Sequence, residues 1–301
     1  MTKRVLVTGA GGYVGRSCLP VLVKFGYEVH AISRSRSTGK DNNVHWHKID
    51  LLEVTNLTPI FNEIHATYLI HLGWYAEHGK FWEAPENRHW LSISKKLLDA
   101  FHKCGGKRVI VTGSCAEYDW QYGRCTEHKT PMNPSTLYGQ CKHELYQYLK
   151  TNSGLEYAWA RLFFLYGEDE NPARLVSSVC YSLLNGEEAK ISQGTQRRDF
   201  MHISDTAEAL AVLLSSDYIG AINVASGQDV AVRDVVIKLA ERIGRTDLLR
   251  IGAMGPQQEE PPQLIADTKI LNEELGFVPS LSLNDGLDIT VNFWKRKLGK
   301  N

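Results

Sequence analysis

The chain of 301 residues carries 34 basic and 34 acidic side chains, and 43% of its residues are hydrophobic. This length and composition allow a large buried core and do not favour intrinsic disorder. Because the charges balance, nothing indicates a nucleic-acid or anionic-membrane partner, and small-molecule ligands are expected instead.

Compartment and redox state follow from what the sequence lacks. No signal peptide precedes the first strand, and no apolar run reaches the roughly 18 to 20 residues that cross a bilayer, so a cytoplasmic protein without membrane contact is expected. The six cysteines include no Cys-x-x-Cys pair, which predicts reduced thiols. His45 and His47 alternate on a predicted strand and are interpreted as one solvated face, so no metal site is predicted.

The order of the elements indicates the fold class. Short β-branched runs alternate with helical patterns up to about residue 165, which is typical of βαβ units. We predict an α/β fold, a doubly wound Rossmann parallel sheet followed by a smaller C-terminal α/β substrate domain. The predicted sheet strands are Arg4 to Thr8, Glu28 to Ser33, Val44 to Lys48, Tyr68 to Leu72, Arg108 to Thr112 and Tyr157 to Phe163.

The predicted domains are interleaved along the chain. Residues 1–167 form the dinucleotide-binding domain, and residues 168–197 and 228–301 form the substrate domain. Residues 198–227 are expected to return to the first domain, because Phe200 to Ile203 and Ala221 to Ala225 are strand-like and could return to the main sheet.

A glycine-rich turn follows the first strand and opens a helix. Gly9, Gly12 and Gly15 have the Gly-x-x-Gly-x-x-Gly spacing, which permits a tight turn and lets the backbone approach a pyrophosphate at the helix N-terminus. A glycine-rich turn without a ligand is the alternative. The expected cofactor contacts in this turn are Gly9, Gly11, Gly12, Tyr13, Val14 and Gly15.

The end of the second strand indicates which dinucleotide binds. An acidic residue there would hold the ribose hydroxyls of NAD, but the chain has Ser33 and Arg34, which suit the 2′-phosphate of NADP. NAD is the alternative if Arg34 and Arg36 only form a solvated basic loop. Asp50 is expected to hold the adenine amino group. The other expected cofactor contacts are Leu51, Leu72 and Gly73.

Three residues form a candidate catalytic set. Tyr138 and Lys142 lie one turn apart on a predicted helix, so the ammonium can act on the phenol. A nearby cation favours phenolate and lowers a pKa that starts at about 10. Ser114 follows the strand before that helix and can reach the same substrate oxygen.

Together with the glycine turn, this set resembles the extended short-chain dehydrogenase/reductases, the NAD-dependent epimerase/dehydratase family acting on nucleotide sugars. The resemblance extends over Ile70 to Gly73, Tyr166 to Gly167, Arg198 to Asp205, Asn223 to Gly227 and Glu274 to Pro279. It implies catalytic roles for Ser114, Tyr138 and Lys142. It also implies a substrate-diphosphate contact for Arg198, a substrate contact for Arg174, a nicotinamide cofactor and a homodimer. A solvated helix face is the alternative for Arg174.

Several positions depart from the family pattern. Family dehydratases carry an Asp-Glu pair where this chain has Cys115 and Ala116, so dehydration is not expected. Phe164 replaces an asparagine that usually precedes Tyr-Gly. Trp74 and Tyr118 follow the fourth and fifth strands, and their rings are expected either to pack on a sugar or to cap the core.

These observations lead to one preferred activity. We predict an NADPH-dependent reductase of a nucleotide-linked keto sugar, such as a 4-keto-6-deoxyhexose, in which Tyr138 donates the proton and Lys142 orients the nicotinamide ribose. The alternative is a nucleotide-sugar 4-epimerase that uses tightly held NAD. A non-catalytic cofactor sensor on the same fold is a third hypothesis.

Overall fold

The computed structural model describes residues 3–35, 43–152, 154–255 and 261–300. The strands are β1 (Lys3–Thr8), β2 (Tyr27–Ser33), β3 (Val44–Lys48), β4 (Tyr68–His71), β5 (Arg108–Ser114), β6 (Arg124–Cys125), β7 (Glu156–Leu162), β8 (Phe164–Tyr166), β9 (Ala189–Ile191), β10 (Arg197–Arg198), β11 (Phe200–His202), β12 (Gly220–Val224), β13 (Val230–Ala231), β14 (Leu249–Ile251) and β15 (Gln263–Ala266). The α-helices are α1 (Tyr13–Lys24), α2 (Thr58–Ile64), α3 (Glu86–Lys103), α4 (Leu137–Asn152), α5 (Leu175–Leu184), α6 (Ile203–Ser215), α7 (Val232–Ile243) and α8 (Leu283–Lys297).

The main sheet has seven parallel strands in the order β12-β7-β5-β4-β1-β2-β3. All six strands predicted for the Rossmann sheet are present, and β12 is the seventh. The predicted fold class, a doubly wound α/β sheet, is confirmed.

The two later strand-like segments behave differently. β12 pairs with β7 and extends the main sheet, as expected for residues 221–225. The expectation that Phe200 to Ile203 also joins that sheet is wrong. β11 pairs in parallel with β8, and Ile203 already begins α6. The chain leaves the main sheet after Leu162, so β8 and β11 form a separate two-stranded sheet. The division into two domains stays a prediction.

Helices cover both faces of the main sheet, which explains the apolar character of its strands. Val5 and Val7 of β1 pack with α1 and α6, whereas Leu6 between them packs with α2, α3 and α4. A third core lies between α5, α7 and α8, around Val236 and Trp294. In sheets of this kind, ligands bind outside the carboxyl ends of the strands.

Two further observations concern the compartment predictions. No helix among the described residues is long and apolar enough to cross a membrane. All six cysteines are free thiols, and five of them are buried. The cytoplasmic location itself stays a prediction.

Candidate active site

The glycine turn lies at the carboxyl end of β1. Gly9 has φ of +66°, and a Cβ there would lie 2.7 Å from the backbone nitrogen of Gly73, so only glycine lets the ends of β1 and β4 approach. A Cβ on Gly15 would collide with the Gly9 carbonyl oxygen. The Gly12 amide donates to the same carbonyl at 2.9 Å. These contacts are those of a dinucleotide-binding turn, where the backbone must come close to a phosphate.

Apolar and acidic side chains surround the first residues of α1, which follow the glycine turn. Val14 packs against the first core. The Tyr13 hydroxyl is buried without a hydrogen-bond partner among the described residues, and burial together with Glu170 and Glu168 raises its pKa. Burial also raises the pKa of Glu170 to about 7. Two acidic side chains therefore lie near Tyr13, the first residue of α1.

The predicted ribose-binding residues meet at the ends of β2 and β3. A Cβ on Gly11 would lie 2.8 Å from Ser33 Oγ, which places the serine hydroxyl directly beside the glycine turn. Arg34 is exposed next to it, and Arg36 lies outside the described residues. Asp50 accepts a hydrogen bond from the amide of Leu52 at 3.1 Å.

The other three predicted cofactor contacts, Leu51, Leu72 and Gly73, are less exposed than Arg34. Leu51 is buried and Leu72 is half-buried. The Leu72 amide donates to the Thr8 carbonyl at 3.2 Å, and Gly73 lies between Thr8 and Trp90. The structure thus brings the predicted cofactor residues to one edge, while their individual roles stay predictions.

The three predicted catalytic residues converge at the carboxyl end of β5. Ser114 ends that strand, and Tyr138 and Lys142 face it from the first two turns of α4. A Cβ on Gly139 would collide with the carbonyl oxygen of Ala116, so glycine there lets α4 lie against the turn that follows Ser114. The Ser114 side chain hydrogen-bonds that of Tyr138 and opposes the rise in its pKa.

Burial sets the protonation of this pair. The expected lowering of the Tyr138 pKa by Lys142 is not found: desolvation raises this pKa well above its usual value, so the phenol holds its proton at neutral pH. Desolvation lowers the pKa of Lys142 to about 7. The Lys142 ammonium donates to the Thr112 carbonyl at 2.8 Å. A protonated phenol beside a lysine that titrates near neutrality can deliver a proton to a substrate oxygen.

An aromatic wall surrounds the tyrosine. The rings of Trp74, Phe81 and Trp82 lie 5.0 to 6.5 Å from the Tyr138 ring, all edge-on to it. The Tyr138 amide donates to the carbonyl of Trp82 at 2.9 Å, which ties α4 to the segment after β4. Apolar rings around a proton donor limit its contact with water.

Trp74 was predicted to pack on a sugar ring, but one of its faces is already covered. The Lys142 nitrogen lies 3.9 Å from the centre of that ring, and the indole nitrogen donates to Asn87 at 2.8 Å. A cation at this distance is attracted by the ring face. Trp74 therefore contacts Lys142, and the structure offers no support for sugar stacking on this face.

The prediction that Tyr118 contacts the substrate disagrees with its position. Its side chain is only 1% exposed, and its hydroxyl donates to Asn223 at 2.6 Å and accepts from Arg161 at 3.3 Å. The polar tip is thus satisfied inside the protein. Tyr118 belongs to the core, which was the alternative interpretation of these aromatic residues.

The two predicted substrate arginines lie in different surroundings. Arg174 precedes α5, half-buried, with its guanidinium 6.0 Å from the Phe81 ring centre, and its charge acts on Tyr138. It therefore borders the aromatic wall. Arg198 is buried and donates to the carbonyls of Arg197 and Pro261. Its predicted diphosphate contact stays a prediction.

The turn after Ser114 contains a glutamate that the sequence analysis overlooked. Glu117 is fully buried and accepts hydrogen bonds from the Ser114 amide, the Trp159 indole and Arg161 Nε, at 2.8 to 3.1 Å. The Ser-x-x-Glu spacing is that of a capping box, so the signal was available in the sequence. A Cβ on Gly113 would collide with Trp159 and Glu117, which explains the glycine before the serine.

The positions that serve dehydration in family dehydratases carry no acid or base. Cys115 is buried, and desolvation raises the pKa of its thiol. Ala116 has no titratable group. Glu117 cannot replace them, because both of its oxygens are bound by Ser114, Trp159 and Arg161.

This geometry can be compared with known proteins. The profile of the NAD dependent epimerase/dehydratase family matches residues 5–225. The chain belongs to this family. The prediction of an enzyme of the nucleotide-sugar epimerase/dehydratase family is thereby confirmed.

The chain is similar to proteins with different names and bound ligands. UDP-glucuronic acid decarboxylase 1 of Xenopus tropicalis is 25% identical over 98% of this chain and 73% of its own length. A UDP-N-acetylglucosamine 4-epimerase from Methanobrevibacter ruminantium M1, in complex with UDP-N-acetylmuramic acid, has the same fold, with a TM-score of 0.89, 24% identity and 98% and 99% coverage of the two chains. MoeE5, in complex with UDP-glucuronic acid and NAD, is 26% identical with a TM-score of 0.84 and coverage of 98% and 99%.

Proposed function

We propose that this enzyme is an NADPH-dependent reductase of a nucleotide-linked keto sugar of the 4-keto-6-deoxyhexose type. The observation that carries the proposal is the end of β2, where the Ser33 hydroxyl adjoins the glycine turn and Arg34 is exposed, with no carboxylate on either residue. A hydroxyl and a guanidinium suit a 2′-phosphate, the group that distinguishes NADPH from NADH.

The residues around Tyr138 support the direction of reaction. When bound, the nicotinamide cofactor supplies the hydride to the carbonyl carbon. Tyr138 keeps its proton at neutral pH and donates it to the carbonyl oxygen, while the Ser114 hydroxyl hydrogen-bonds the same oxygen. The Lys142 ammonium has three N–H donors, and one of them donates to the Thr112 carbonyl. The other two can orient the nicotinamide ribose.

The proposed substrate follows from the surroundings of the reacting groups. Arg174 borders the aromatic wall and would contact the sugar nucleotide, and Arg198 would contact its diphosphate. Relatives of this chain carry names that specify nucleotide-linked sugars. A homodimer remains a prediction from the family resemblance.

A nucleotide-sugar 4-epimerase with NAD is the second candidate. MoeE5 was solved with NAD, and a 4-epimerase shares the fold of this chain. An epimerase returns the hydride to its substrate, whereas a reductase consumes one NADPH for each product.

The test is incubation of the purified enzyme with a panel of nucleotide-linked keto sugars and NADPH, followed at 340 nm and by product analysis. We expect NADPH loss to equal product formation. Product formed without loss of NADPH would replace the reductase by the epimerase. The epimerase would also replace the reductase if the enzyme reduced no keto sugar but interconverted 4-epimers in the presence of NAD.

Arg34→Ala is expected to remove most of the preference for NADPH over NADH. Loss of one charge-assisted contact of about 1.5 to 3 kcal/mol corresponds to a change of roughly tenfold to a hundredfold in the ratio of the two dissociation constants. Fluorescence titration with both cofactors measures this ratio. Arg233→Ala, an exposed arginine on α7, is the matched control and should keep the wild-type ratio. Equal affinities of the wild type for both cofactors would contradict the assignment.

The alkaline limb of the pH profile should report Lys142. Its pKa is lowered to about 7, so the side chain is charged below that pH and neutral above it. The charged form assists proton release by Tyr138, so kcat/KM for reduction should fall above pH 7, approaching tenfold per pH unit. Lys142→Arg stays charged throughout this range and should flatten the fall, whatever its absolute rate. A wild-type profile that is level from pH 6 to 9 would exclude Lys142 as the controlling group.

A further inference from the structure

A group of three imidazoles and one carboxylate lies away from the proposed reaction site. Glu28 and His30 on β2 and His45 and His47 on β3 share the face of the main sheet that α2 covers. The sheet register pairs His30 with His45, and their rings stack with centres 4.8 Å apart. The centre of the His47 ring lies 5.3 Å from that of His30. The rigid pairing of β2 with β3 therefore holds these groups together.

Three of the side chains present ligand atoms to a common point. One atom from each of Glu28, His30 and His45 lies within 4.8 Å of the other two, and within the described parts of the chain no other His, Cys, Asp or Glu trio meets this condition. His30 Nε2 and Glu28 Oε1 are 3.2 Å apart. Ligands at about 2.0 to 2.1 Å from a tetrahedral zinc ion are separated by about 3.3 Å, so the Glu28 and His30 atoms already have the separation that the ion requires.

We propose that Glu28, His30 and His45 bind a zinc ion at the β2–β3 edge of the sheet, with His47 as the residue that orients His30. The fourth position is open to water, because His45 is exposed. Two imidazoles and one carboxylate are a donor set that suits zinc. This inference is independent of the proposed reductase activity.

His47 has the position of a supporting residue. Its Nε2 lies 3.0 Å from His30 Nδ1. When His30 Nδ1–H donates to His47, the Nε2 lone pair of His30 is free for the metal, which is the arrangement that ligating histidines commonly have.

Neighbouring charges also shape the site. Arg4 Nε donates to Glu28 Oε2 at 3.0 Å, which leaves the other carboxylate oxygen directed at His30. The Arg4 charge opposes a cation. The charge of Glu63 on α2 acts on His47 and favours a cation.

The experiment is calorimetric titration of the full chain, prepared without a histidine tag, with zinc chloride at pH 7.5. We expect one ion per chain, and His45→Ala, an exposed position, should weaken binding by at least about tenfold. His47→Ala removes only the supporting contact and should weaken binding by roughly tenfold to a hundredfold. His128→Ala, also exposed, should bind as the wild type does.

Thermal unfolding gives a second measurement that needs no substrate. Zinc that binds only the folded chain raises the melting temperature, and this rise should disappear in His45→Ala and persist in His128→Ala. Circular dichroism verifies that each variant is folded. Absence of stoichiometric binding to the wild type, or an unchanged affinity in folded His45→Ala, would overturn the proposal.

Discussion

Replacing Tyr138 with phenylalanine is expected to lower kcat for reduction by about two to four orders of magnitude. The change removes one hydroxyl from a ring that Trp74, Phe81 and Trp82 hold by their edges, so the ring keeps its packing. Only the proton donor is lost. Steady-state rates with a nucleotide-linked keto sugar measure the loss of turnover. The dissociation constant of NADPH measures cofactor binding and should remain near the wild-type value.

The control for this substitution is Tyr122→Phe, because Tyr122 is 57% exposed and lies outside the aromatic wall. It should retain full activity. Lys142→Met should also lower turnover and, unlike Tyr138→Phe, should weaken cofactor binding. Near-normal turnover in Tyr138→Phe would remove this tyrosine from the reaction.

Glu117→Leu is expected to lower the free energy of unfolding by about 3 to 5 kcal/mol, because it leaves the Arg161 guanidinium buried without a counter-charge. Both side chains are fully buried, and Arg161 Nε donates to Glu117 at 3.1 Å. Urea unfolding of both proteins measures the difference. The loss also has a second consequence, since Glu117 accepts a hydrogen bond from the Ser114 amide at 2.8 Å and so fixes the serine that we propose to be catalytic.

The double variant Glu117→Leu/Arg161→Met tests the electrostatic explanation. Removing both charges replaces an ion pair by apolar groups, which is far less costly than removing one partner, so the double variant should recover much of the lost stability. If it is no more stable than Glu117→Leu, the loss comes from packing and not from the unpaired charge. Turnover should stay reduced in the double variant, because Ser114 has lost its acceptor in both.

Much of this architecture could be predicted because it depends on local pattern. The period of the apolar residues places β1 to β5, and the glycine spacing places the turn between β1 and α1. Tyr138 and Lys142 share a helix face by spacing alone. Each of these inferences uses residues close together in the chain.

What could not be predicted depends on contacts between distant parts of the chain. The depth of Tyr118 is set by Asn223 and Arg161, which lie 105 and 43 residues away. Trp74 faces Lys142 only because β4 lies beside β5, against which α4 packs. A ring near a strand end can pack on a ligand or on a neighbouring side chain, and the sequence pattern is the same for both.

The order of strands in the main sheet has a consequence for the chain as it leaves the ribosome. β7 is complete at Leu162, but the strand that covers its outer edge, β12, ends about 60 residues later at Val224. At about 5 to 20 residues per second, synthesis of that stretch takes roughly 3 to 12 s. During this interval the nascent sheet has an unpaired parallel edge along β7. Such an edge can pair with another chain, so the newly synthesised protein is open to aggregation along β7 during these seconds.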